Sequence, residues 1–114
     1  MFTILLAKKE ELSDAFAYIG QTSAGFVMIC RENGQITGVI TFDLQGGKGI
    51  IEGMKGNGDM HLPMVKAALN FLDLHGVREV VLADSQNGAI YDVCGFRDGK
   101  LSLDGYFTNP HTGC

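Results

Sequence analysis

The chain has 114 residues, 46% of them hydrophobic and 19% charged, a balance that excludes disorder and leaves room for one core rather than two. Its net charge of −4, with no basic run, gives no electrostatic footprint for nucleic acid. No apolar run approaches a bilayer span, and Met1 to Ala7 is too short and lacks the basic flank of a signal peptide.

Residues 2–7 read as a short strand. From Lys9 to Ile19, apolar residues at 12, 15, 16 and 19 form a helical stripe with Gly20 as its stop, and Gln21 to Ala24 leaves no room for a second helix. Phe26 to Cys30 is a strand, and Asn33-Gly34 is the strongest hairpin signal, since both central positions of a type I′ turn need positive φ. Ile36 to Leu44 returns as a second strand. Gln45-Gly46-Gly47 turns the chain into a third, Lys48–Met54, so that an antiparallel meander is expected.

The stretch Gly53–Pro63 follows, and it opens a helix placed at 61–75. Apolar residues recur at 62, 65, 69 and 72 and again at 64, 67, 68, 71 and 74, against a polar stripe of Lys66, Asn70 and Asp73. Most of that helix should be buried, with Pro63 in its first turn, where helix N–H groups have no partner anyway. Strand, glycine-rich loop and helix N-terminus form a recipe for holding phosphate, because free N–H groups converge there and the helix dipole adds positive potential. The plainer reading of the glycines is a tight strand-to-helix turn.

His75-Gly76 ends the helix, and the solid apolar run within Val77–Ala83 suits a strand covered on both faces. Strand, helix, strand predicts a crossover that sets Lys48–Met54 and Val77–Ala83 side by side and parallel. A short helix over about Gln86 to Cys94 comes next. A closing hairpin then turns at Asp98-Gly99 into a strand from Leu101 to Phe107, and Thr108–Cys114 reads as a loop. Three cysteines are an odd number, most simply reduced thiols of a cytoplasmic protein, with Cys30 and Cys94 as small core hydrophobes. His111 and Cys114 fall short of a closed metal site, so no metal is expected.

This order of elements resembles the GNAT-type N-acetyltransferases over roughly residues 25 to 107. Two motifs carry the likeness. Lys55-Gly56-Asn57-Gly58-Asp59-Met60 is similar to the family's Arg/Gln-x-x-Gly-x-Gly/Ala loop, and Tyr91-Asp92-Val93-Cys94-Gly95-Phe96 is similar to its Tyr-x-x-x-Gly-Phe segment. The resemblance implies an α/β fold: a single GNAT-like domain over 1–114, with a mixed, mainly antiparallel sheet, one parallel strand pair and flanking helices. It also implies acetyl-CoA as cosubstrate, held by Gly53, Met54, Lys55, Gly56, Asn57, Gly58, Asp59 and Met60. The acceptor would be a small-molecule or peptide amine, with Tyr91 as the acid that protonates the departing thiolate and Glu52 as a candidate base.

The sequence departs from the family at Lys55, at Met60, where a small residue is usual, and at Asp59, which brings a negative charge to an anion loop. Each site residue also has a structural reading. Tyr91 can pack its ring on the sheet, Glu52 can be a lone edge charge, Asp59 suits a helix N-terminus, and Lys55 can be solvated. The alternative to an enzyme is a non-catalytic GNAT-like domain for coenzyme A sensing or self-association, the latter as a homodimer.

Overall fold

The structure is a computed structural model, and it describes residues 2–83, 86 and 88–107. Six strands form one sheet in chain order: β1 (Phe2–Leu6), β2 (Phe26–Glu32), β3 (Gln35–Gln45), β4 (Lys48–Gly56), β5 (Glu79–Leu82) and β6 (Lys100–Ser102). A 3-10 turn, Lys9–Glu11, leads into α1 (Leu12–Ile19). The other helices are α2 (Gly58–Leu74) and α3 (Ala89–Val93).

The meander follows from its turns. Asn33 and Gly34 carry φ of 54° and 78°, the two positive values a type I′ hairpin needs, and Gly46 and Gly47 make the matching turn between β3 and β4. β4 and β5 pair in parallel from Lys48↔Glu79 to Ile51↔Leu82, as the crossover predicts, while every other strand pair is antiparallel.

α2 lies on one face of the sheet and buries Met64, Val65, Ala68, Leu69 and Leu72, each large side chain worth about 2 kcal/mol in water-to-core transfer. Opposite them are Met28, Cys30, Ile40, Phe42, Ile51 and Val80. Phe71 of α2 closes an aromatic group with Phe26 and Phe42, at centroid distances of 5.1 and 5.5 Å. α1 covers the other face with a smaller core of Ala15, Val27, Ile29 and Val39. Cys30 and Cys94 are buried in the larger core, as a small hydrophobe would be. Among the described residues, no helix is long and apolar enough to cross a membrane.

Four boundaries differ from the sequence reading. α2 begins at Gly58 rather than His61, because β4 runs on to Gly56 and only Asn57 separates strand from helix. Pro63 is therefore the sixth residue of α2, not a first-turn residue, and the Asp59 carbonyl lacks the N–H that would otherwise meet it. α3 is confined to Ala89–Val93. The closing strand is only Lys100–Ser102, since the chain turns away from β5 through Asp104–Phe107. β5 is also less covered than its apolar run suggests, for only Val80 is fully buried. The 108–114 loop, with His111 and Cys114, lies outside the described residues.

At its C-terminus α2 ends as expected. The His75 ring nitrogen Nδ1 lies 2.8 Å from the Phe71 carbonyl, and Arg78 binds both the carbonyl and the carboxylate of Asp73. These contacts satisfy carbonyls that the helix leaves open.

Candidate functional site

The candidate site is the second half of β4 and the start of α2. β5 follows β4 only to Ile51↔Leu82, with one further bond from the Ala83 amide to the Ile51 carbonyl at 2.9 Å. From Glu52 to Gly56, β4 has β3 alone as its strand neighbour. At the point of separation the register with β3 slips. Thr41 faces Gly53 and Phe42 faces Ile51, so Glu52 is the extra residue of a β-bulge.

The Glu52 side chain is half-buried, and its pKa is raised, first by desolvation and then by the negative charge of Asp43. That is the direction a general base for an ammonium group needs. Its carbonyl accepts from Gln21 Nε2 at 3.3 Å, and Gln21 Oε1 accepts from the Thr41 hydroxyl at 2.7 Å. Gly53, beside them, is buried.

Beyond the bulge, Met54 lies opposite Ile40 and packs on the larger core, while Lys55 lies opposite Val39 and holds its ammonium 5.2 Å from the Tyr18 ring of α1. Gly56 faces Gly38, and Met64 of α2 packs into the space that both glycines leave. The Asn57 amide donates to the Thr37 carbonyl at 3.0 Å, which ties the turn to β3. Asn57 is the N-cap residue, but its side chain makes no capping bond, and Asp59 is the exposed second residue of the helix. The Met60 amide bonds back to the Asn57 carbonyl at 2.9 Å, leaving the Gly58 and Asp59 amides at the head of the helix without an acceptor within it. His61 Nε2 sits 3.0 Å from the Gly56 carbonyl and pins the first turn to the strand end. Met60 is half-buried against the core.

Tyr91 lies elsewhere, on α3, with 2% of its surface exposed. Its ring meets Phe96 edge-on at 5.7 Å, and its hydroxyl donates to Gln86 Oε1 at 3.0 Å. Burial, aided by the nearby Cys94, pushes its pKa up to about 12, so the phenol stays protonated across the physiological range.

The structure thus joins residues 52–60 into one continuous strand-to-helix turn and sets Tyr91 on a separate short helix. Sequence reasoning did not pick out Gln21, Thr41 or Gln86. Thr41 did leave a trace, as a single hydroxyl inside the apolar run Val39-Ile40-Thr41-Phe42.

Solved structures share this fold. A GNAT family acetyltransferase from Brucella melitensis, in complex with acetyl-CoA, superposes with a TM-score of 0.73 at 15% identity, covering 90% of this chain and 88% of that one. This is the GNAT fold. The ribosomal-protein-S18-alanine N-acetyltransferase from Escherichia coli gives 0.68 at 15% identity over 85% of this chain and 78% of its own. An acetyltransferase from Bacillus subtilis in complex with CoA gives 0.66 at 15% over 85% and 77%. No family model matches the sequence, and no curated protein matches it. The likeness to GNAT structures is therefore one of fold.

Proposed function

We propose that the chain is an acyl-coenzyme A-dependent N-acetyltransferase that moves an acetyl group from acetyl-CoA to a small-molecule or peptide amine. The observation that carries this reading is the parting of β4 from β5 at the Glu52 bulge, four residues before Gly56, with the head of α2 just beyond Asn57. The gap accepts an extended pantetheine arm along the open side of β4. The Gly58 and Asp59 amides offer donors to the pyrophosphate, in the way helix N-termini hold anions. Two GNAT-fold neighbours were solved with acetyl-CoA or CoA bound.

In this reading, Glu52 takes a proton from the acceptor ammonium, directly or through water. The freed amine attacks the thioester carbonyl carbon, the C–S bond breaks, and the sulfur leaves with the electron pair. Tyr91 donates a hydrogen bond to that sulfur, which takes up the proton that the nitrogen loses as the amide forms. The proton on Glu52 then passes to solvent, so the net products are amide, coenzyme A thiol and one proton. A phenol at about 12 is a weaker acid than an ordinary thiol near about 8.5, so full transfer is uphill. Tyr91 therefore contributes chiefly as a hydrogen-bond donor to the developing thiolate, after turning from Gln86.

A second reading, a coenzyme A-binding domain without turnover, is favoured by one observation: the Tyr91 hydroxyl is already committed to Gln86. Calorimetry with acetyl-CoA, followed by a thiol-release assay over defined amines and peptide N-termini, separates the two. Tyr91→Phe should lower turnover about 10²–10⁴-fold with coenzyme A affinity nearly unchanged. Wild-type turnover in that variant removes Tyr91 from the mechanism, and binding without thiol release from any acceptor selects the second reading.

A further inference from the structure

The Glu52 carbonyl, in the peptide unit between Glu52 and Gly53, is held from outside the two strands that flank β4. The register with β3 passes from Ile51 to Gly53, and β5 pairs no further than Ile51, so both skip Glu52. A carbonyl left in such a place needs another donor. Gln21 supplies it, reaching from the segment just after α1, where Gly20 closes the helix and the Gln21 amide bonds back to the Phe16 carbonyl at 3.1 Å.

The orientation of the Gln21 amide is fixed at both ends. Thr41 is buried among apolar neighbours, and its hydroxyl would cost free energy if left unpaired. The Glu52 carbonyl can only accept, so Nε2 must face it and Oε1 must face Thr41. Gly53 completes the arrangement. A Cβ there would stand 2.5 Å from Gln21 Nε2 and 3.0 Å from Thr41 Oγ1. The glycine thus leaves the space that the Gln21 amide occupies, and a side chain there would push that amide away.

We infer that Gln21 is a positioning residue: braced by Thr41, it sets the direction of the Glu52–Gly53 peptide unit and so the geometry of the bulge where β4 leaves β5. This inference rests on the acetyltransferase reading. No peptide bond in the described chain is cis, so the Gly53 N–H points opposite to the Glu52 carbonyl. One side-chain amide therefore orients both a backbone donor and the main chain that bears the candidate base.

The test uses Gln21→Ala, Thr41→Val and Thr41→Ser. Gln21→Ala and Thr41→Val should each lower kcat by about tenfold to a hundredfold with KM for acetyl-CoA unchanged, the size expected when reacting groups are misplaced by a fraction of an ångström. Thr41→Ser keeps the hydroxyl and should retain near wild-type kcat. A second readout needs no turnover. The ¹³C′ resonance of Glu52 and the ¹⁵N resonance of Gly53 should move in Gln21→Ala and Thr41→Val and return in Thr41→Ser. If the wild type binds no acetyl-CoA or releases no thiol, the acetyltransferase reading fails, and the resonances still decide whether Gln21 holds the bulge. Unmoved resonances in Gln21→Ala, wild-type kcat in an active Gln21→Ala, or an equal loss in Thr41→Ser would overturn the inference.

Discussion

β4 has two halves built under different rules. Lys48–Ile51 is an interior strand segment, paired on one side with β3 and on the other with β5. Glu52–Gly56 keeps β3 but loses β5, and its other contacts come from Gln21, Tyr18 and the first turns of α2. The first half is held by ladders that any two compatible strands can make. The second is held by particular side chains at particular places. A sheet can open a ligand gap without fraying only if the freed strand is tied down in this second way.

Three glycines sample the two halves, and the largest effect belongs to the last. In Gly56→Ala the new Cβ would meet the Gly38 Cα and the Thr37 carbonyl, both at 2.7 Å. Backbone on both contacts cannot step aside, so we expect a loss of about 3 kcal/mol or more by urea unfolding. Gly49→Ala, in the first half, would press on the tip of Leu72, 2.6 Å away. A leucine tip can rotate, so the cost should be nearer about 1 kcal/mol. Equal losses in the two variants would erase the distinction between the halves. Gly53→Ala differs from both, for it would displace the Gln21 side chain.

Asp59 probes the head of α2, where the second half of β4 delivers the chain. Its carboxylate suits the helix dipole but would face a pyrophosphate of the same sign. Two unit charges about 6 Å apart interact by roughly 3 kcal/mol at an effective dielectric near 20, and by under 1 kcal/mol in water. At this exposed position a penalty near about 1 kcal/mol is expected, which is roughly fivefold in affinity. Asp59→Asn should therefore bind acetyl-CoA about fivefold more tightly at low salt, with the gain shrinking as salt is raised. Calorimetry at two ionic strengths measures both, and unchanged binding would mean that the phosphates sit elsewhere.

The smallest effect tests the bulge itself. The raised pKa of Glu52 means that the folded chain holds this proton more tightly than the unfolded one, so ionised Glu52 costs stability. The cost is absent below the unfolded pKa and complete above the folded one. Glu52→Gln should match the wild type in acid and become slightly more stable than it as pH rises through the carboxylate range. A difference that stays flat with pH would place Glu52 in open solvent.

The two halves also differ in how far the sequence revealed them. Asn33-Gly34 and Gln45-Gly46-Gly47 announced the meander because positive φ has few chemical solutions. The helical spacing from Leu62 to Leu74 announced α2, and the resemblance pointed to Tyr91. The junction was misjudged: a run of glycine and methionine suits strand, loop and first helical turn alike, and Pro63 is tolerated later in a helix than its chemistry favours. The bulge at Glu52 was invisible, because register depends on which residues of β3 arrive opposite. Gln21 was invisible for the same reason. Its partners, Thr41 and Glu52, are twenty and thirty-one residues away along the chain, and nothing in its own surroundings marks it.

The strand order of the sheet is the order of the chain, and this has a kinetic meaning. Each strand can dock on the one synthesised just before it, and the turns at 33–34 and 46–47 make the loops closed along the meander among the shortest available. Three other pairings close longer stretches: residues 7–25 before β2 meets β1, 57–78 before β5 meets β4, and 83–99 before β6 meets β5. Contacts between distant parts of a chain form slowly because closure entropy is lost before any contact compensates it. The topology thus implies a fast central zipper, β2 to β4, followed by slower docking of the flanking strands. One of these slower events brings β5 beside Ile51 and stops there, so the gap in the sheet is created by a strand that pairs across a long loop rather than by the strands that form first.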